Sequence, residues 1–285
     1  MSRRAISSKR SSGALVTGEP IRSPRCGAAV WSVARFVVLT AVVAAGCSLL
    51  ALPWLAFPWW TIFRRCVSIG AALGLWVCVT KLERRTWRSY GVAAFRVGAP
   101  HLLFGMALGA VALSAMLALG LATGVCQLAV TSDELKLWRT LIGFLPAAGL
   151  VGVLEELVFR GFILQHFLPC SRVLAVVVSS ALYAVVHLKT TIWSLAMGFE
   201  LVGLALFGGV LALSYLRTGQ LSLAIGLHAV LAYGARVNKL LVAFPDPSLS
   251  WLIGTSRLVN GVVGWLILLG LGGIIMAWTA RRRAD

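Results

Sequence analysis

Charged residues are scarce in this chain, and acidic residues are the scarcest. Only 12% of the 285 residues are charged, with 9 Asp and Glu against 26 Lys and Arg, whereas globular chains average about 25%. A water-soluble fold cannot cover the apolar surface implied by 59% hydrophobic residues and a mean hydropathy of +0.91. The composition therefore excludes a soluble globular protein and predicts an all-α polytopic membrane protein with a lipid bilayer as its solvent.

Several motifs are also missing. The six cysteines form no CxxC motif and no Cys/His cluster, and most lie in or beside apolar runs, where free cysteine behaves as a small hydrophobic residue. We therefore predict neither a disulfide framework nor a structural zinc site. HExxH and GxSxG are absent, which excludes the familiar zinc-protease and serine-hydrolase arrangements. The chain has no internal repeat, and this counts against transporter folds built from two related halves.

Apolar runs of about 20 residues predict about eight transmembrane helices. Their predicted bounds are 32–56, 64–80, 101–125, 139–167, 172–188, 198–217, 220–243 and 258–279. We divide the chain into a disordered basic tail, N-terminal transmembrane helices, a core, and a C-terminal helix with a basic tail. These segments are 1–30, 31–130, 139–245 and 258–285.

The basic residues that give the net charge of +17 cluster in the way that sets the orientation of membrane proteins. With a cytoplasmic N-terminus, seventeen basic residues face the cytoplasm and eight face outward, as the positive-inside rule requires. We therefore predict both termini in the cytoplasm and a location in the bacterial inner membrane. The same distribution disfavours a nucleic-acid partner.

Six ionisable residues nevertheless fall inside the predicted spans. They are Glu155, Glu156, Arg160, His187, Glu200 and His228. A charge at the bilayer centre costs about 2.5–3.5 kcal/mol on insertion scales. These groups should therefore face one another or a water-filled, buried polar cavity. Glu200 lies near the start of its span and is left out of the predicted site.

Helical spacing separates the two glutamates. Glu156 and Arg160 are four residues apart and should form an ion pair on one helix face. Glu155 is rotated about 100° away, so we predict that it is the reactive group. His187 should share its depth, about 24 Å from the turn near residue 171. By the same count His228 lies only about 13 Å deep, a mismatch that requires tilting, a late helix start or a misplaced boundary.

The segment 155–160, EELVFR, matches the EExxxR motif of the CPBP family, which includes type II CAAX prenyl endopeptidases and Abi-like bacteriocin-processing proteins. YAVVH at 183–187 resembles its FxxxH motif with Tyr183 in place of Phe, and GLHAVLA at 226–232 resembles its third, histidine-containing motif. Three motifs in order on successive predicted helices make the resemblance specific.

This resemblance implies an intramembrane protease, a hydrolase that cleaves a membrane-associated peptide or protein. Glu155 and His187 would activate water, Glu156 and Arg160 would hold the site together, and His228 would stabilise the oxyanion. Whether the enzyme needs a cofactor stays open, including a divalent metal such as zinc held by His187 and His228.

The third motif departs from the family pattern. The family usually has Asn four residues after the histidine, and this chain has Ala232. Either another group donates to the oxyanion, for which Asn238 is a candidate, or the chain is a slower or altered enzyme. Two alternatives to a protease also stay open: a non-catalytic membrane scaffold or immunity protein of the same fold, and a transporter or proton relay that uses the same buried acids.

Overall fold

The computed structural model describes residues 26–188, 193–254 and 259–284. The helices are α1 (Cys26–Ala51), α2 (Trp59–Trp76), α3 (Phe95–Ala122), α4 (Glu134–Leu141), α5 (Phe144–Glu156), α6 (Gln165–Phe167), α7 (Arg172–His187), α8 (Leu195–Thr218), α9 (Ser222–Leu241), α10 (Ser250–Ile253) and α11 (Val262–Ala284). Short 3₁₀ turns cover Leu52–Trp54, Trp87–Tyr90 and Pro247–Leu249. Strands β1 (Gln127–Leu128) and β2 (Val242–Ala243) pair antiparallel, with Gln127 opposite Ala243.

The fold is an all-α multi-pass membrane architecture, as predicted. Five of the described helices are long and apolar enough to cross a bilayer, or six if the bent pair of α4 and α5 counts as one span. The predicted number of eight is not confirmed, because α7 has only 16 residues and α9 does not meet the same criteria. The first helix begins at Cys26, inside the segment 1–30 predicted as a tail, and the rest of that segment lies outside the described residues.

The predicted span 139–167 is not one regular helix. Helices α4 and α5 meet at a 41° bend, and α5 continues into a π-helical segment, Leu157–Leu164, before α6. A second π-helical turn, Val77–Leu82, follows α2. Each hydrogen-bonded ring of a π-helix contains one residue more than a ring of an α-helix, so the helix is wider there. Such segments are frequent at functional sites. Hydrophobic spacing alone does not reveal it.

The depth mismatch predicted for His228 is resolved by the position at which α9 begins. Leu221, just before α9, lies beside Gly161 of the π-helical segment, about ten residues short of the turn near residue 171. Glu155 is six residues before Gly161, and His228 is seven residues after Leu221. The two helices therefore bring both side chains to one level, and the late helix start is the correct explanation.

One disulfide corrects the sequence prediction. Cys26 at the start of α1 is bonded to Cys170 in the turn before α7, across a sequence separation of 144 residues. The other four cysteines are free. Such a distant pair is not visible in the sequence, because only the packing of α1 against the α6–α7 turn brings the two residues together.

Candidate active site

A buried carboxylate connects three elements at the centre of the site. Glu156 Oε1 accepts from Arg160 Nη1 at 2.8 Å and from His228 Nδ1 at 2.7 Å. The side chains of Glu156 and Arg160 are fully buried. The ion pair predicted from the four-residue spacing is confirmed, and it also fixes the histidine of α9.

Arg160 extends this network to α7 and α8. Its Nη2 donates to the Gly208 carbonyl oxygen of α8 at 3.1 Å, and its guanidinium lies 4.8 Å from the Tyr183 ring centroid. Gly208 permits the contact, because its Cα packs against Ser180 and an added Cβ would press on that residue. A buried guanidinium needs several partners to compensate its lost hydration, and these contacts supply them.

Glu155 lies between two imidazole rings. Its Oε2 is 3.2 Å from His187 Nε2 and 3.5 Å from His228 Nε2. This oxygen is buried and has no hydrogen-bond partner of correct geometry among the described residues. The side chain as a whole is 25% exposed, which leaves Oε1 as the carboxylate oxygen that can reach the adjacent cavity. Glu155 is thus placed beside the histidines, away from the ion pair that holds Glu156.

The hydrogen bonds at each Nδ1 define the imidazole tautomers. His187 Nδ1 donates to the Tyr183 carbonyl at 2.7 Å, and His228 Nδ1 donates to the Glu156 carboxylate. A neutral imidazole with its proton on Nδ1 has an acceptor at Nε2. Both Nε2 atoms, the acceptors of these neutral rings, lie near Glu155 Oε2, at 3.2 Å and 3.5 Å. The arrangement suits a site that receives and returns a proton.

These side chains line a cavity of about 380 Å³ whose walls are mainly apolar. Of the five predicted site residues, Glu155, His187 and His228 line the cavity directly. Glu156 is connected to it through its hydrogen bond with His228, and Arg160 lies behind Glu156. Several residues that line the cavity are outside the set predicted from the sequence. They are Tyr183, Glu200, Arg236 and Lys239. The cavity extends along the face of α9 that carries His228. The spacing of Arg236 and Lys239 from His228 places them on the same face of the helix.

Asn238 does not take the place of the missing third-motif asparagine. It lines a separate pocket beside β1 and β2, whereas Ala232 lines the cavity. Asn238 is ten residues after His228, so it lies about 15 Å further along α9 and points to another face. This candidate is therefore wrong.

Within the described ranges, no group of three His, Cys, Asp and Glu side chains is recognised as a metal centre. His187 and His228 place their Nε2 atoms 3.2 Å and 3.5 Å from the same carboxylate oxygen, Glu155 Oε2. We therefore derive the chemistry of the site without a metal step.

Residues 137–233, which include all five predicted site residues, match the family model described as type II CAAX prenyl endopeptidase Rce1-like. This part of the chain is therefore similar to Rce1-like domains. The match confirms the resemblance to the CPBP family seen in the three motifs, and it supports a CAAX-type protease, a class of hydrolases, in general terms. No curated protein and no solved structure matches the chain.

Proposed function

We propose that the protein is an intramembrane endopeptidase that hydrolyses a peptide bond of a membrane-associated protein or peptide. One observation supports this most directly. The carboxylate of Glu155 lies against two imidazole Nε2 atoms at the wall of an apolar cavity, and no arginine pairs with it among the described residues. A carboxylate held in this way can accept a proton from water, which is the role of a general base.

In the proposed reaction Glu155 removes a proton from a water molecule in the cavity. The water oxygen attacks the carbonyl carbon of the substrate, and a tetrahedral oxyanion forms. Glu155 then delivers the proton to the leaving nitrogen as the C–N bond breaks, which gives a carboxylic acid and an amine and restores the Glu155 carboxylate. His187, 3.2 Å from Glu155, shares the proton with it and orients the water.

Glu156 and Arg160 position the other groups. Their buried pair fixes His228 through its Nδ1 atom, and this places His228 Nε2 beside Glu155. Removal of one member of a buried ion pair leaves an uncompensated charge, which typically costs about 3–5 kcal/mol. In this proposal both residues act through His228 and do not touch the substrate.

Glu155→Gln tests the general base. The amide keeps the shape of the side chain but cannot accept the proton, so kcat on a quenched peptide library in detergent should fall at least about 100-fold. Glu134→Gln is the matched control, because Glu134 is exposed on α4 and lies outside the cavity. This control should keep wild-type activity.

The same assay separates the alternatives. Activity that persists in Glu155→Gln would contradict the mechanism, and a wild type that cleaves nothing would favour a non-catalytic scaffold. A chelator arm tests the predicted metal role of His187 and His228. We expect cleavage to continue with the chelator present, and a loss that added zinc restores would assign the two histidines to a metal.

A further inference from the structure

We propose that the Tyr183 hydroxyl is a catalytic group that donates a hydrogen bond to the oxyanion. The assignment rests on the proposed peptidase function and deepens it. Tyr183 stands where the motif of the family has Phe, and Ala232 stands where it has Asn. The chain thus gains a hydroxyl on α7 and lacks an amide on α9, and both positions line the same cavity.

The surroundings of Tyr183 place it at the reacting centre. Its ring centroid is 4.3 Å from that of His187 and 5.9 Å from that of His228. The ring is only 2% exposed and is fixed edge-on to Phe159 and Phe207. These four aromatic and imidazole neighbours leave the ring little freedom to turn.

The hydroxyl itself has no hydrogen-bond partner among the described residues, although the backbone carbonyl of Tyr183 accepts from His187. The hydroxyl is also not among the fully buried polar atoms that lack a partner, so it keeps access to the cavity. A buried Tyr O–H usually has a hydrogen-bond partner, and a bound oxyanion would provide one.

The site needs such a donor. His228 uses its Nδ1 proton on Glu156, so the neutral ring has no proton at Nε2 to give. His187 is in the same state because its Nδ1 proton is on the Tyr183 carbonyl. Arg236 lies eight residues beyond His228 on α9, about 12 Å away along the helix. Among the described lining residues, Tyr183 has the only hydroxyl group.

The substitution Tyr183→Phe tests the proposal. It keeps the ring and its contacts and removes the donor, so kcat should fall about 100-fold, the usual effect of one oxyanion donor, while KM changes little. Ala232→Asn in the Tyr183→Phe background should recover at least about 10-fold of that loss, because Ala232 lies one turn after His228 on the cavity side.

Tyr233→Phe is the matched control. That hydroxyl donates to the Leu141 carbonyl at 2.8 Å, outside the cavity, so its removal should leave kcat unchanged. Thermal unfolding of each variant separates a catalytic loss from misfolding, and a purely structural role for Tyr183 would not be rescued by Ala232→Asn.

The outcomes distinguish this assignment from the function on which it rests. If Glu155→Gln is inactive and Tyr183→Phe retains wild-type kcat, the peptidase mechanism stands and the role of Tyr183 is overturned. If Tyr183→Phe is impaired but Ala232→Asn restores nothing, the hydroxyl is not an exchangeable oxyanion donor. A wild type without peptidase activity would overturn both.

Discussion

At the scale of single residues, His166 shows how the loop after α2 is attached to the core. Its Nδ1 lies 2.8 Å from the Phe162 carbonyl and its Nε2 lies 2.9 Å from Glu83 Oε1. The ring of His166 thus joins a backbone carbonyl of the core to the carboxylate of Glu83. Tyr90 donates to the other oxygen of Glu83. This cluster lies far from the cavity and should matter for stability rather than for catalysis.

The cluster predicts how stability depends on pH. Burial raises the pKa of Glu83, but the hydrogen bonds from His166 and Tyr90 outweigh it and hold the pKa below its usual value of 4.5. Because the folded-state pKa is depressed, the contribution to stability is complete above the unfolded pKa and is lost as the pH falls through the folded value. Glu83→Gln should therefore be less stable than wild type at pH 7, by about 1 kcal/mol.

Thermal unfolding in detergent over a pH series measures this difference. The gap between wild type and Glu83→Gln should close as the pH falls below about 4.5, while peptidase activity at pH 7 stays close to wild type. A gap that is constant over the whole series would show that the ionisation of Glu83 contributes nothing to stability.

Contacts between side chains could be predicted from the sequence where the two partners are close along the chain. The pair of Glu156 and Arg160 follows from a spacing of one helical turn, and it is confirmed. The second partner of Arg160, the Gly208 carbonyl, is 48 residues away, and the disulfide joins positions 144 residues apart. Those contacts depend on helix packing, about which local spacing contains no information.

At the scale of elements, glycines decide how close the helices come. An added Cβ at Gly226 of α9 would collide with the Leu102 carbonyl of α3, and one at Gly105 of α3 would collide with the Leu223 carbonyl of α9. Small residues allow such close backbone approach between membrane helices. Since His228 is two residues from Gly226, this contact also sets the position of the histidine at the site.

Gly226→Ala should therefore weaken both the fold and the reaction. Overpacking of a tight contact typically costs about 1–3 kcal/mol, so the unfolding temperature should fall, and a shifted His228 should lower kcat. Gly149→Ala is the control, because a Cβ there meets nothing within 4 Å and alanine is the better helix former. Equal stability of the two variants would contradict the packing role of Gly226.

The number of spanning helices and the π-helical segment after α5 show which features of the elements the sequence could not predict. Hydrophobic runs located the long helices, because length and apolar content are local properties. The π-helical segment and the start of α9 beside Gly161 arise from contacts between helices. For this reason the predicted depth of His228 was wrong although its presence in the site was not.

At the scale of the whole molecule, the cavity and the start of α1 lie at opposite ends of the helical bundle. The Cys26–Cys170 bond and the hydrogen bond from Leu221 N to the Gly91 carbonyl, 2.9 Å, define one end. His187 is the last residue of α7, and Lys239 lines the cavity near the end of α9. The cavity therefore opens toward the end that also holds β1 and β2.

Two features of the chain favour different orientations of this bundle. The excess of basic residues predicts that the end with Cys26 is cytoplasmic, whereas disulfides persist mainly in oxidising compartments. We expect the charge distribution to decide, because many basic residues act together during insertion. The Cys26–Cys170 disulfide would then lie at the cytoplasmic end, and the cavity would take substrates from the outer side.

Cysteine labelling in intact bacteria tests this orientation. Lys239→Cys should react with a membrane-impermeant maleimide. Cys26 and Cys170 should react only with a permeant maleimide, after a permeant reductant has opened their disulfide. Wild type sets the background, because Cys126 at the cavity end is buried. The reverse pattern, with Cys26 and Cys170 protected until a reductant is added from outside, would place the termini outside. It would also make the substrate a cytoplasmic one, since the cavity opens at the opposite end.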